Sequence, residues 1–143
     1  MSRISCLIAV PTFGKASVAW WRNFNAIQKP LGSISSEIFF EGTESIADKR
    51  NMAIEAAIAN DAKTLLFVGD DVHVPSHALE LMLNRHRLGA KVVTGVYWTK
   101  TPNPQPYIYR GYLDGAIYDW KVGEYFEIDW AGCDCLLLDV DML

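Results

Sequence analysis

The chain has 143 residues, of which half are hydrophobic and 21% are charged, and its 17 acidic and 13 basic residues give a net charge of −4. This length and composition are typical of one folded domain and exclude a disordered chain. No run of lysine and arginine suggests a nucleic-acid partner, and no apolar run approaches the roughly 20 residues of a transmembrane helix.

The odd number of cysteines, three, favours a reducing, cytoplasmic location. A chain this apolar is also expected to expose a patch through which copies associate into a homo-oligomer.

Strands and helices alternate along the first two-thirds of the sequence. Apolar runs predict strands over residues 4–10, 36–40, 63–68 and 91–97, and apolar residues at helical spacing predict helices over residues 16–28, 47–60 and 76–88. Strands separated by helices of this length usually pair in parallel, so the pattern predicts an α/β fold with a mostly parallel central sheet flanked by helices. Ligands of such sheets bind beyond the carboxyl ends of the strands, where Thr12, Glu41 and Asp70 are expected.

The last third of the chain has a different character. A proline-rich loop over residues 99–106 is followed by eight aromatic residues between positions 107 and 130, with patchy alternation that predicts strands. No internal repeat and no domain boundary is visible. We therefore expect residues 1–143 to form a single domain, in which this part extends the sheet and covers one side of the site.

An acidic cluster follows the third predicted strand. The apolar residues 65–68 lead through Gly69 to Asp70 and Asp71, and His73 comes two residues later. Carboxylates resist burial unless they are paired or bind a cation, so acids at the end of a buried strand indicate a divalent metal site. The alternative is that the two acids are solvated or cap the next helix, and that His73 is a turn residue packed near the sheet.

Four short motifs in a defined order lead to a resemblance. They are Ile8-Ala9-Val10-Pro11-Thr12-Phe13, Asp48-Lys49-Arg50-Asn51-Met52-Ala53, Leu66-Phe67-Val68-Gly69-Asp70-Asp71 and Trp130-Ala131-Gly132. In this order and spacing they resemble GT-A nucleotide-sugar glycosyltransferases of the large family-2-like group. The resemblance implies a Rossmann-like GT-A fold and metal-dependent transfer of a sugar from a UDP- or GDP-sugar to a hydroxyl acceptor.

The metal motif of that family is Asp-x-Asp, often followed by another acid, which holds Mn²⁺ or Mg²⁺ against the donor diphosphate. By resemblance Asp70 matches the second acid and Asp71 the acid after it, whereas Val68 stands where the first acid is expected. This departure puts the usual contact of the first acid with the ribose in doubt. His73 would add an imidazole ligand, which favours Mn²⁺ over Mg²⁺.

The resemblance also places five residues around the donor nucleotide: Pro11, Thr12, Glu41, Arg50 and Asn51. Arginine suits phosphate or base, and asparagine offers both a donor and an acceptor. The alternatives are a proline that ends a strand, a turn carboxylate at Glu41 and a solvated helix face. The neighbouring Lys49 is predicted to be a surface charge.

Three residues are assigned to the sugar or the acceptor: Trp98, Trp130 and Gly132. Aromatic rings stack on sugar faces and glycine lets the backbone approach a ligand closely, although aromatic residues more often form the core and a glycine often marks a turn. Asp134 is a weak candidate for the catalytic residue, ranked above Asp129 because it follows three small residues, and solvation is the competing explanation for both.

The catalytic base of the family comes after the glycine-containing strand, and Asp139 and Asp141 lie too early to match it. The base therefore stays unassigned, and the chain is expected to lack the C-terminal part of the fold. This leaves a second hypothesis, a non-catalytic nucleotide- or sugar-binding module. A nucleotidyltransferase or a Rossmann dehydrogenase fits less well, because Gly14 stands alone where a glycine-rich phosphate loop would be needed.

Overall fold

The structure, a computed structural model, describes residues 3–112 and 114–143. Its elements in chain order are β1 (Cys6–Thr12), α1 (Val18–Asn25), β2 (Ser35–Glu41), α2 (Ile46–Ala59), β3 (Thr64–Val68), α3 (Ala78–Arg87), β4 (Val92–Thr94), β5 (Ile108–Tyr109), β6 (Trp130–Ala131), β7 (Cys135–Asp139) and a short 3₁₀ turn over Val140–Met142. The predicted alternation of strand and helix is confirmed as far as β4. In the described residues, no helix is both long and apolar enough to cross a membrane.

The central sheet has five strands in the order β2-β1-β3-β7-β4. The first two pairings, β1 with β2 and β1 with β3, are parallel, whereas β7 runs antiparallel to both β3 and β4. The predicted α/β, Rossmann-like GT-A fold with a mostly parallel sheet is therefore wrong, and the fold is α+β with a mixed sheet. The physical reason is the connection between β4 and β7, whose described residues contain no helix that could carry the chain back for a parallel crossover.

The two middle strands β1 and β3 are buried along their whole length, which explains their continuous apolar sequences. Alternate residues of β1 point to opposite faces of the sheet. Ile8 and Val10 pack with Trp20 of α1 on one face, while Leu7 and Ala9 pack against α2 on the other. The core therefore lies on both sides of β1 and β3 and fixes where these strands end.

Two predicted strands have different bounds in the structure. Strand β1 continues past its predicted end and stays paired with β2 as far as Thr12. The pairing of β1 with β3 stops at Ala9, so the missing N–H of Pro11 removes no hydrogen bond from that pairing. Strand β4 is shorter than predicted, and the aromatic region contributes only the short pair β5 and β6 in the described residues. Prolines at positions 102, 104 and 106, just before β5, have no backbone N–H to donate to a neighbouring strand.

A buried acid at the end of β7 gives a prediction about stability. Asp139 is 4% exposed and accepts hydrogen bonds from Lys91 Nζ at 2.7 Å and His86 Nε2 at 2.8 Å. These partners, Lys91 first, lower the pKa of Asp139 to about 2. The ionised carboxylate therefore stabilises the folded state fully above about pH 4, and that contribution is lost as the pH falls from about 4 towards 2.

We expect Asp139→Asn to lower the free energy of unfolding by about 2 kcal/mol at pH 7, because a hydrogen-bonded charge is removed. The variant should also lose less stability than the wild type between pH 5 and pH 3. Urea denaturation at the three pH values measures both effects. Equal acid sensitivity of the two proteins would show that Asp139 does not carry the response.

Candidate functional site

The site begins where β1 and β3 end side by side. Thr12 is the last residue of β1, and Asp70 lies two residues beyond β3. The Thr12 hydroxyl donates to Asp70 Oδ2 at 2.7 Å and accepts a hydrogen bond from the backbone N–H of Gly14 at 2.9 Å. Asp70 is half-buried, and its other oxygen accepts no hydrogen bond from any described residue. The arrangement fixes the Asp70 carboxylate and leaves one of its oxygens available to a ligand.

A second acid is brought to the same turn by β7. Asp134 immediately precedes β7, and its carbonyl accepts from the Gly69 N–H at 2.9 Å. A Cβ on Gly69 would lie 2.8 Å from Cβ of Asp134, so only glycine lets the two segments approach this closely. Asp134 therefore packs against the residue that precedes Asp70, although 64 positions separate the two acids in the sequence.

Arg50 connects helix α2 to this pair of acids. Its Nη2 donates to Asp134 Oδ1 at 3.0 Å, and both side chains are about one-third exposed, at 30% and 33%. The Nε of Arg50 is buried and has no hydrogen-bond partner among the described residues. A partly exposed guanidinium near a carboxylate with a free oxygen is suited to hold an anionic ligand that also carries a cation.

Trp20 supports the turn that carries Asp70 through a hydrogen bond to Gly69. This side chain is 1% exposed, stacks on Phe24 at a centroid distance of 4.9 Å, and donates from Nε1 to the Gly69 carbonyl at 2.8 Å. Trp20 and Phe24 are the buried residues of α1 and lie on one face of the helix, as their spacing of four positions requires. The hydrogen bond that gives it a role at the site could not be seen from spacing.

Lys49 was predicted to be a surface charge, and this prediction is wrong. The side chain is 0% exposed, and Nζ donates to the carbonyls of Thr12 at 2.7 Å and Gly42 at 2.8 Å. It also lies 3.7 Å from the ring centroid of Phe13. The sequence did contain a signal, because Lys49 precedes Ala53 and Ala57 at intervals of four and so shares their buried face of α2.

The other two predicted metal ligands lie in different surroundings from Asp70. Asp71 is exposed and forms an ion pair with Lys100 Nζ at 2.6 Å, and His73 is exposed. Among the described residues, no three side chains of His, Cys, Asp or Glu lie together so that they could hold a metal ion. The chain thus offers Asp70 as a single anchored carboxylate, and metal binding there stays a prediction.

The remaining predicted donor residues lie around the end of β1. Pro11 is buried in β1, and Glu41 is exposed at the end of β2. Gly14 has a φ of +77°, and a Cβ at this position would lie 2.5 Å from Glu41 Oε1, so the turn after β1 packs directly on this carboxylate. Asn51 is exposed, and its side chain makes no hydrogen bond with the described residues. Glu41 therefore borders the Thr12 turn, whereas Asn51 is not fixed by protein contacts.

The predicted sugar-side residues form a separate aromatic region. Trp98 and Trp130 are 50% and 54% exposed, with rings near Tyr118 and Tyr112 at 6.4 and 6.0 Å. Gly132 is buried, and a Cβ there would overlap the Tyr97 hydroxyl and the Tyr107 ring. Packing of the tyrosines thus accounts for the glycine.

Tyr97 connects this aromatic region to Asp134. Its hydroxyl accepts the Asp134 N–H at 3.1 Å. Burial raises the pKa of Tyr97, so the hydroxyl stays protonated at neutral pH. The contact helps to fix the backbone of Asp134 next to the Gly69 turn.

Comparison with known proteins adds a similar fold. No family model matches the chain, and no curated protein matches it. The crystal structure of A197 from STIV is similar over 98% of this chain and 69% of that chain, with a TM-score of 0.63 and 19% sequence identity. At this level of identity the similarity shows that the two proteins share a fold and nothing further.

Proposed function

We propose that the protein is a metal-dependent glycosyltransferase that transfers a sugar from a nucleoside-diphosphate sugar to a hydroxyl acceptor. The observation that supports this most is the meeting of two linked pairs, Thr12–Asp70 and Arg50–Asp134, beyond the carboxyl ends of β1 and β3. These groups come from four distant parts of the sequence. Together they offer a fixed carboxylate for a cation and a guanidinium for a phosphate.

The residues present fit a metal that is shared between the protein and the donor. Mg²⁺ and similar hard cations are commonly held by one or two carboxylates together with substrate phosphates, so a single anchored Asp70 is sufficient. Asp71 is close in sequence and would have to leave Lys100 to contribute. When bound, Mn²⁺ or Mg²⁺ would neutralise the charge that develops on the departing nucleoside diphosphate. Arg50, whose side chain is 30% exposed, would bind the diphosphate through its guanidinium.

In this proposal the nucleoside and the acceptor contact different groups of residues. Thr12 and Glu41 border the turn after β1, where a UDP or GDP moiety would lie. The exposed rings of Trp98 and Trp130 would contact the sugar or the acceptor.

A non-catalytic nucleotide- or sugar-binding module is the second candidate, and one observation favours it. Asp134 Oδ1 forms an ion pair with Arg50, and Asp71 forms an ion pair with Lys100. Each of these acids therefore already has an ion-pair partner, and would have to leave it or use its second oxygen to accept a proton from an acceptor hydroxyl. Binding of the donor needs no such base.

Thermal unfolding with Mn²⁺ and either UDP or GDP tests the shared part of both proposals. A nucleotide-dependent rise in Tm that requires the metal is expected, and its absence with all common nucleotide sugars and metals would contradict both. Release of UDP or GDP from the corresponding nucleotide sugars separates the two. Turnover supports the transferase, whereas tight binding without turnover over many hours supports the binding module.

A further inference from the structure

We propose that the buried ammonium of Lys49 positions Asp70 for its ligand by holding the Thr12 turn, an inference that rests on the proposed function. Lys49 Nζ binds the Thr12 carbonyl, and the Thr12 hydroxyl binds the Asp70 carboxylate. The three residues form a continuous chain from the first half of α2, past the end of β1, to the end of β3. Lys49 is therefore a positioning residue that acts through Thr12.

The surroundings of Lys49 are unusual for a lysine. The side chain is fully buried, and no carboxylate among the described residues forms an ion pair with it. Lysine is almost never fully buried unless paired, because removing the ammonium from water is costly. Among the described residues, the partners of its ammonium are two carbonyls and the Phe13 ring. A methionine would fill this volume without the cost of burying a charge, so core packing alone does not explain a lysine at this position.

The two carbonyls show what the ammonium holds in place. Thr12 ends β1, and Gly42 follows the end of β2, so both lie where backbone ladders stop and carbonyls lose their strand partners. Lys49 provides donors to both carbonyls from one atom and thereby fixes the two strand ends relative to each other. The geometry of Thr12 then sets the direction of Asp70 Oδ2, since that oxygen accepts from the Thr12 hydroxyl.

The test compares Mn²⁺ affinity in the presence of UDP for the wild type, Lys49→Met, Thr12→Val and the double variant. Residues that orient a metal ligand typically change metal affinity by about 10- to 100-fold when replaced, so each single variant should bind Mn²⁺ at least tenfold more weakly. Because both act through one chain of contacts, the double variant should bind scarcely more weakly than the worse single one. If the two substitutions weakened Mn²⁺ binding by independent factors that multiply in the double variant, the proposed chain of contacts from Lys49 through Thr12 to Asp70 would be contradicted.

A matched variant separates positioning from loss of stability. Ala57→Gly removes a buried methyl group from the same helix, about two turns away from Lys49. It should lower Tm and leave the Mn²⁺ affinity within twofold of the wild type. Equal loss of affinity in Ala57→Gly, or wild-type affinity in folded Lys49→Met, would overturn the inference. If Lys49→Met does not fold, Lys49→Gln is measured in its place, because its side chain is uncharged and one atom too short to reach both carbonyls, and wild-type affinity in that variant would likewise overturn the inference.

Failure of the proposed function can be recognised separately. If the wild type binds neither Mn²⁺ nor a nucleotide, the function fails, and the ligand-free proteins still test Lys49 by NMR. The backbone amide signals of Thr12, Gly14 and Asp70 should then move in the Lys49 variant and stay in place in Ala57→Gly. Unmoved signals at Asp70 would overturn the positioning role itself.

Discussion

Replacing Asp70 with asparagine is expected to abolish the metal-dependent part of the stabilisation by UDP or GDP. Asparagine keeps the shape and can still accept the Thr12 hydroxyl, so the fold should persist while the charge that attracts a cation is lost. A ligand at about 100 times its Kd adds about 2.7 kcal/mol to the wild type. For a chain of this size that corresponds to a rise in Tm of about 8 °C. Differential scanning fluorimetry with and without Mn²⁺ measures the effect.

Asp71→Asn is the matched control for this experiment. Asp71 is the adjacent carboxylate, but it is exposed and paired with Lys100 rather than fixed at the strand end. Its replacement should leave most of the metal-dependent shift intact. A full shift in Asp70→Asn, or an equal loss in Asp71→Asn, would show that Asp70 is not the principal ligand.

The largest loss of stability is expected from Trp20→Ala. Trp20 is 1% exposed, contacts the core on the α1 side of the sheet and satisfies the Gly69 carbonyl. Removing such a side chain leaves a cavity and an unpaired carbonyl, for which we expect a loss of about 4 kcal/mol in the free energy of unfolding. Because Gly69 precedes Asp70, Trp20→Ala should also weaken binding at the site. Urea denaturation followed by circular dichroism measures the stability.

Trp21→Ala provides the comparison on the same helix. Trp21 is 41% exposed and contacts Trp20, Phe24 and Phe39 only on one side. Its loss should cost less than half as much as that of Trp20 and should leave binding unchanged. Similar costs for the two tryptophans would contradict the assignment of the core.

Local sequence signals predicted most of the elements, because each of them depends on nearby residues. The continuous apolar runs of β1 and β3 are examples, and the start of α2 is likewise set by near neighbours, since Ser45 Oγ accepts from the Asp48 N–H at 3.1 Å. The direction of β7 could not be obtained in this way. Its apolar residues fit either direction, and only the partners β3 and β4, contributed by distant parts of the chain, make it antiparallel.

The sequence predicted where the candidate site lies in the fold, but it did not predict which side chains contact one another there. Strand order brought Thr12 and Asp70 to the same edge, as expected from the rule for strand ends. The pair Arg50–Asp134 spans 84 positions, and no local pattern joins them. Lys49 was missed because lysine is so seldom buried that its position on the alanine face of α2 carried too little weight.

A crystal of the protein soaked with Mn²⁺ and UDP tests the central claim most directly. We predict anomalous density for manganese in coordination distance of Asp70, with the diphosphate between the metal and Arg50 and the nucleoside near Thr12 and Glu41. Manganese and UDP bound elsewhere, or no density beside Asp70 at concentrations that raise Tm, would contradict the assignment of this site.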